Sequence, residues 1–225
     1  PVASTSPSWR QAAGLCMSTF NPDLLMTDSE AWIVQEPVPL GPRGRYVVQR
    51  ESHMGFARIF DNVWGGKRHA MVGPTQIDRF GQANISMIGA DYARPKSMML
   101  GVRGFPGNSI NHANSFFVPN HSPKVFVAGE VDMVSSAGYN PARLARGWGL
   151  HDIDIRRMVT NLAVLDFGGP QHQMRLVSLH PGVTAEQVQA ATGFALHLPA
   201  EVPQTAAPTG EERALIARLD PHGLR

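Results

Sequence analysis

Apolar positions along this chain recur at helical spacing in two early segments and gather afterwards into short, strand-length runs. In residues 9–20 the face Trp9, Ala12, Ala13, Leu15 and Cys16 marks an amphipathic helix, with Ser6 or Ser8 as its N-cap and Asn21-Pro22-Asp23 as its stop. Residues 24–27 read as a short strand ending in the polar triplet Asp28-Ser29-Glu30. Three prolines and two glycines make residues 36–44 irregular, ahead of a brief strand at 46–48. Met54, Phe56, Ile59, Phe60 and Val63 share one face of a second helix, 54–64, closed by Gly65-Gly66.

Strand-length runs dominate the rest. They fall at 69–72, 75–78, 83–88 and 98–100, the last feeding into Gly101-Val102-Arg103-Gly104-Phe105-Pro106-Gly107-Asn108, and again at 115–118, 125–128, 159–167 and 174–179. Two late helices start at capping boxes, Thr184-Ala185-Glu186-Gln187 and Thr209-Gly210-Glu211-Glu212, in which paired side chains satisfy first-turn backbone donors. Residues 199–208 between them form a linker-like stretch. Helices alternating with strands that lack period-two patterning predict an α/β fold, a mostly parallel sheet covered by helices. Residues 98–134, with strands and no helix between them, predict a mixed or antiparallel flank.

Composition narrows the class. At 225 residues and 43% hydrophobic, the chain has material for a single domain, 1–225. Its 22 glycines and 18 prolines require many turns. A net charge of +2 without a like-charge run disfavours nucleic-acid binding. No apolar run approaches the roughly 18 residues of a membrane-crossing helix. The single Cys16 rules out an internal disulfide or a cysteine-based metal cluster and points to a reducing, cytoplasmic setting. The chain starts at Pro1 without an initiator methionine and reads as the end of a strand, so a missing N-terminal segment is expected.

The loop 101–108 is the most informative local feature. Its three glycines let backbone N–H groups approach an anion, a carbonyl or a thioester oxygen, which makes an oxyanion pocket unless the loop is only a tight turn. The Gly-x-x-Gly-x-x-Gly order is neither a dinucleotide fingerprint nor a P-loop. Arg103 either pairs with a carboxylate or phosphate or faces solvent. The nine histidines lack metal-ligand spacing, so no metal is expected. His112 and His180 stand as acid/base candidates. No nucleophile elbow is present, and Cys16 on its helix reads as a buried, inert thiol. Asp28-Ser29-Glu30 reads either as a reactive group or as a turn cap.

Longer motifs are more specific. Gly73-Pro74-Thr75-Gln76-Ile77-Asp78-Arg79-Phe80-Gly81-Gln82-Ala83-Asn84-Ile85-Ser86 resembles the G-A-x-Q-[IV]-D-x-[YF]-G-N-x-N segment of beta subunits of class I coenzyme A transferases, the glutaconate type in particular. Arg94-Pro95-Lys96, Val131-Asp132-Met133-Val134-Ser135, His180-Pro181-Gly182-Val183-Thr184 and Leu219-Asp220-Pro221 follow in family order, so the likeness spans nearly the whole chain. Within the family, residues 101–112, Val118-Pro119-Asn120-His121-Ser122-Pro123 and Asp166-Phe167-Gly168-Gly169-Pro170 are similar to signatures of one subgroup, the beta subunits of bacterial steroid (cholesterol) ring-cleaving hydrolases.

The resemblance implies a coenzyme A transferase-like fold, an alpha partner subunit in an α2β2 heterotetramer, and an acyl-CoA thioester as substrate with no permanently bound cofactor. It also implies a helix and the body of a first strand before Pro1, roughly 20–30 residues. The glutamate that forms the acyl-enzyme in glutaconate-type subunits falls, without a gap from Pro22-Asp23, on Ser29. Glu30 stands one residue late, and a one-residue shift at a strand end turns a side chain to the other face. Transferase chemistry is therefore expected to be lost. The resemblance places the catalytic glutamate on the alpha subunit and makes the reaction a hydrolytic C–C cleavage of a cyclic β-oxo acyl-CoA in the last-ring stage of steroid degradation. Gly101, Arg103, Gly104, Gly107 and Asn108 are expected to line the thioester pocket, with Gln76 and Asn84 as second choices and Glu30, Ser29 and His112 as remaining catalytic candidates. The rival readings are a CoA transferase acting on a dicarboxylic acid, with Glu30 as nucleophile, and a non-catalytic subunit whose glycine loop packs on its partner.

Overall fold

The computed structural model describes residues 7–27, 31–65, 69–99, 101–143 and 149–224. The chain divides into two compact units, one comprising the sequence up to Met71 and again from Ala207, the other Val72–Ala206.

In the first unit, α1 (Pro7–Ser18) precedes an antiparallel sheet of β1 (Met26–Thr27), β2 (Trp32–Val34) and β3 (Arg50–His53), in that spatial order, and then α2 (Gly55–Trp64). Pro7 opens α1 because a first-turn residue needs no N–H acceptor, which places Ser8 inside the helix; Ser6 lies outside the described residues. Ala13, Met26, Val34 and Val38 form a small core, with Met17, Leu24, Tyr46 and Val48 packed against it. The C-terminal helix, Gly210–Leu219, closes this unit: a Cβ on Gly14 would lie 3.2 Å from Leu219, and the Leu40 N–H donates to the Leu219 carbonyl at 2.8 Å. The strand expected at 46–48 is absent. Tyr46 and Val48 serve the core from an unpaired segment, while the ladder is completed by β3, whose side chains are exposed and carry no apolar signal.

At β4 (His69–Val72) the chain passes into the second unit, and this strand ends a five-stranded sheet. Two hairpins follow, β5 (Gln76–Ile77) with β6 (Ala83–Asn84), and β7 (Met87–Ile88) with β8 (Ser97–Met98). Next come α3 (Phe105–Asn111), β9 (Ala113–Val118), a long crossover, β10 (Asp154–Thr160), β11 (Ala163–Asp166), β12 (Arg175–Leu179) and α4 (Ala185–Ala190), and the C-terminal helix is α5. Both capping boxes form as read, Thr184 with Gln187 and Thr209 with Glu212.

The sheet order is β12-β11-β10-β9-β4. The α/β class holds, but the sheet is mixed: β10 runs parallel to β9 and antiparallel to β11, and β11 runs antiparallel to β12. Within the five-stranded sheet the antiparallel pairs of β10, β11 and β12 thus lie in residues 154–179, while β9, inside 98–134, pairs in parallel with β10. The apolar run 159–167 is a hairpin and not one strand. Thr160 folds it, its Oγ1 accepting the N–H groups of Leu162 and Ala163, each at 3.0 Å. At 125–128 there is no ladder, only the Ile77–Phe126 bridge. A helix, α3, does occur between 98 and 134. Its glycines and proline read as breakers, yet Pro106 sits in the first turn, where its missing N–H is harmless. Phe116, Phe126, Ile77, Met158, Leu165 and Leu176 are completely buried in the core of this unit.

Candidate functional site

The segment 101–108 becomes a strained turn running into α3. Gly101 is left-handed at φ +79°, and so is Arg103 at φ +50°, a region costly for any side chain but glycine's. The Phe105 N–H donates to the Val102 carbonyl at 3.1 Å, and the first intrahelical bond runs from the Asn108 N–H to the Gly104 carbonyl at 3.0 Å. The N–H of Gly107, in the first turn, is therefore outside the helix ladder. Among the described residues, a Cβ built on Gly101, Gly104 or Gly107 would meet no atom within 4 Å, so this backbone face is open. Arg103 is exposed beside it. Asn108 turns its side-chain Oδ1 inward, buried and without a donor. His112 is buried at the helix exit, 4% exposed.

Gln76 and Asn84 face each other across the β5–β6 hairpin, and their polar atoms are committed inside the protein. The Asn84 amide donates to Gln76 Oε1 at 2.7 Å and to the Met87 carbonyl at 2.6 Å, while its Oδ1 accepts from the Ser86 N–H at 2.9 Å. Gln76 donates to Asp132 at 3.1 Å and accepts the Asp132 N–H at 3.0 Å. The rest of the motif is equally structural. Asp78 Oδ1 closes the hairpin by accepting the N–H groups of Phe80 and Gln82, both at 3.0 Å, and Gly81, at φ +76°, lies where a Cβ would strike Phe167 at 2.5 Å.

Ser29 and Glu30, with Asp28, lie outside the described residues. Cys16 is a free, partly buried thiol. His180 is a latch: Nε2 donates to the Thr160 carbonyl at 2.9 Å, and Nδ1 meets the Thr205 hydroxyl at 3.0 Å. Asp166 binds the guanidinium of Arg175 through both oxygens, at 2.9 and 2.6 Å. Burial opposes its charge, but that pair and the Gly168 N–H hold its carboxyl below the usual range.

Two features went unmarked by sequence reasoning. His121 is buried between the hydroxyls of Thr160, 3.1 Å from Nδ1, and Thr192, 2.9 Å from Nε2, and stacks on Phe126 at 3.8 Å. Burial pulls its pKa down to about 4, so the ring is neutral. The second is a cavity of about 330 Å³ lined by Asp78, Phe80, Gln82, Glu130, Gln173 and Phe194 among others. At its floor the Gln82 amide donates to Asp78 and to Glu130, which is in turn paired with Arg143. Burial raises the Asp78 carboxyl, while the Arg143 bond lowers that of Glu130. Contacts reaching 48 or more residues along the chain leave no local spacing to detect. Among the described residues no cluster of His, Cys, Asp and Glu could hold a metal ion, and no helix is long and apolar enough to cross a membrane.

No protein-family model matches the chain. It is 45% identical over 220 residues to the cholesterol ring-cleaving hydrolase IpdB subunit of Mycobacterium tuberculosis, covering 95% of this chain and 84% of that protein. The IpdB subunit of Rhodococcus jostii is 43% identical over 220 residues, covering 95% and 82%. One of the subunits of 3-oxoadipate CoA-transferase from Pseudomonas knackmussii is 31% identical over 219 residues, covering 92% and 83%. Among solved structures, Rhodococcus jostii RHA1 IpdAB superposes with a TM-score of 0.88 at 41% identity, covering 99% of this chain and 87% of that one. Glutaconate coenzyme A-transferase from Acidaminococcus fermentans shares the fold, with a TM-score of 0.79 at 23% identity over 95% and 85% of the two chains.

Proposed function

Because the chain belongs to the family that holds the IpdB subunits of cholesterol ring-cleaving hydrolases and, further off, subunits of CoA-transferases, we propose that it is the beta subunit of a hydrolase that opens a ring of a steroid-derived acyl-CoA. It works with an alpha partner subunit, in a cytoplasmic α2β2 assembly. The substrate is a cyclic β-oxo thioester, and the general base is a glutamate of the alpha subunit.

The open backbone face of the glycine turn carries this reading. Gly104 and Gly107 have ordinary negative φ angles and no neighbour that a Cβ would strike, so neither conformation nor packing within the chain requires glycine at either position. That backbone is therefore accessible to close approach by a group from outside the chain. In the reaction, water loses a proton to the base and adds to the ring ketone. The bond from that carbon to the α-carbon then breaks. Its electron pair is delocalised into the thioester as an enolate, whose oxygen receives the N–H groups of Gly104 and Gly107. Protonation of the α-carbon leaves an open-chain acyl-CoA with a new carboxylate, which Arg103 faces. Asn108 packs beneath the turn, and the Gln76–Asn84 pair supports the hairpin that precedes it.

The test is turnover of a cyclic β-oxo acyl-CoA by the purified complex in 18O-labelled water, with one label expected in the new carboxylate. Hydroxylamine or borohydride trapping of the complex with acyl-CoA should modify no residue. Covalent modification at Glu30 would replace the hydrolase with a transferase. Substitutions across 101–108 that alter assembly but leave turnover intact would reduce the loop to a packing element.

A further inference from the structure

We propose that the β7–β8 hairpin is the contact for the nucleotide half of coenzyme A, with Arg94 and Lys96 on its phosphates and Tyr92 against its adenine; this rests on the acyl-CoA reading given above. Between residues 89 and 103 three cations, Arg94, Lys96 and Arg103, stand against one carboxylate, Asp91. That excess equals the net charge of the whole chain, +2, so the remainder of the chain is balanced and its positive charge is gathered on this segment. The hairpin is exposed from Asp91 to Arg94 and again from Lys96 to Met98, with Tyr92 70% exposed. Among the described residues neither Arg94 nor Lys96 makes an ion pair.

A hairpin with 2 residues in each strand does not hold its direction unaided. Its base is fixed from the interior. The buried Asn84 amide donates to the Met87 carbonyl at 2.6 Å, the Gly89 N–H donates to Asp132 at 2.8 Å, and the Met99 N–H donates to the Ser86 carbonyl at 2.7 Å. The same Asp132 carboxylate accepts the Gln76 amide, so the Gln76–Asn84 network sets where the hairpin points. Asp91 fixes its turn, Oδ1 accepting the Ala93 N–H at 2.9 Å and the carbonyl accepting the Arg94 N–H at 3.1 Å. The Lys96 N–H donates to the Ile88 carbonyl at 2.8 Å. Both cations thus stand on ordered backbone, which reduces the entropy lost when they take an anion.

Two cations without partners on one short turn suit a ligand with more than one negative charge. The exposed tyrosine beside them offers its face to a planar base. Coenzyme A carries both in one half, a 3′-phosphate and a pyrophosphate around adenine, and a flexible arm joins that half to the thioester. Lys96 is five residues before Gly101 and so lies within about 17 Å of it, a distance that the arm spans. The nucleotide on the hairpin and the thioester at the glycine turn are then the two ends of one substrate.

The experiment measures binding of coenzyme A, and of adenosine 3′,5′-bisphosphate, which lacks the arm and the thiol, to the complex with the alpha subunit by calorimetry at low salt. We expect Kd to rise roughly tenfold or more in Arg94→Gln/Lys96→Gln and roughly fivefold or more in Tyr92→Ser, and binding by the parent to weaken as salt is added. In steady-state ring opening the preference in kcat/KM for the CoA thioester over the matching pantetheine thioester should shrink roughly tenfold in the double variant. An equal loss on both thioesters overturns the proposal. Equal binding by parent and variants overturns the role of the hairpin and leaves the acyl-CoA reading in place. A double variant that no longer assembles with the alpha subunit marks the hairpin as a subunit contact and overturns it too. If the parent complex binds neither compound, the acyl-CoA reading falls and takes this proposal with it.

Discussion

Replacing Gly107 by alanine separates folding from function. Position 107 lies in the first turn of α3 with negative φ and open space around the place a Cβ would occupy. Alanine there adds no clash and reduces the freedom of the unfolded chain, which should raise the stability of the protein by about 0.5–1 kcal/mol. On a domain of this size that raises the unfolding midpoint by about 1–4 °C. The same methyl group stands in the path of anything that must approach the Gly107 N–H. Loss of one donor to a developing oxyanion costs about 2.7 kcal/mol or more, roughly a hundredfold in kcat. The assay is differential scanning calorimetry of the assembled complex, followed by steady-state ring opening on the same preparation. A stabilised variant with kcat within about threefold of the parent would refute the reasoning, because glycine would then answer no demand from outside the chain. A variant that assembles poorly but turns over normally once assembled would refute it too, and would transfer the open face to the partner.

Other outcomes follow from the same geometry. Gly81→Ala places a Cβ 2.5 Å from the Phe167 ring at φ +76° and should destabilise by about 2–4 kcal/mol, measured by urea unfolding of the complex; a smaller change would mean that Phe167 moves freely. His121 is held neutral, with a folded pKa of about 4 against roughly 6.5 unfolded, so its contribution is complete above about pH 6.5 and is lost as pH falls towards 4, about 3 kcal/mol in all. Urea midpoints from pH 7.5 to 4.5 should therefore fall more steeply in the parent than in His121→Gln, and parallel profiles would contradict the assignment. Arg103→Met should slow ring opening about tenfold, whereas unchanged kinetics would remove Arg103 from the site. Arg103→Gly should in addition relieve about 1 kcal/mol of left-handed strain, seen as a higher unfolding midpoint.

Local devices were legible in the chain because their partners lie a few residues apart. The capping boxes at Thr184 and Thr209 and the helices α1 and α2 belong to this class. The glycine turn was legible as an exposed backbone, though not as the start of a helix, since proline and glycine signal a break unless their place in the first turn is known. The hairpin inside 159–167 escaped because Thr160 folds the chain without glycine, proline or a polar cluster to announce it.

By itself, then, the sequence determined the α/β class, the family and the loop at which chemistry is expected, since each is written in contiguous residues. Tertiary structure alone decided the mixed order of the sheet, the neutrality of His121, the commitment of Gln76 and Asn84 to an internal network, and the cavity over Gln82 and Glu130. These depend on burial and on distances between residues far apart in the chain, which no local pattern encodes. The open face of Gly104 and Gly107 needed both: the sequence supplied the glycines, and only the fold showed that, among the described residues, no atom crowds the places their Cβ atoms would take.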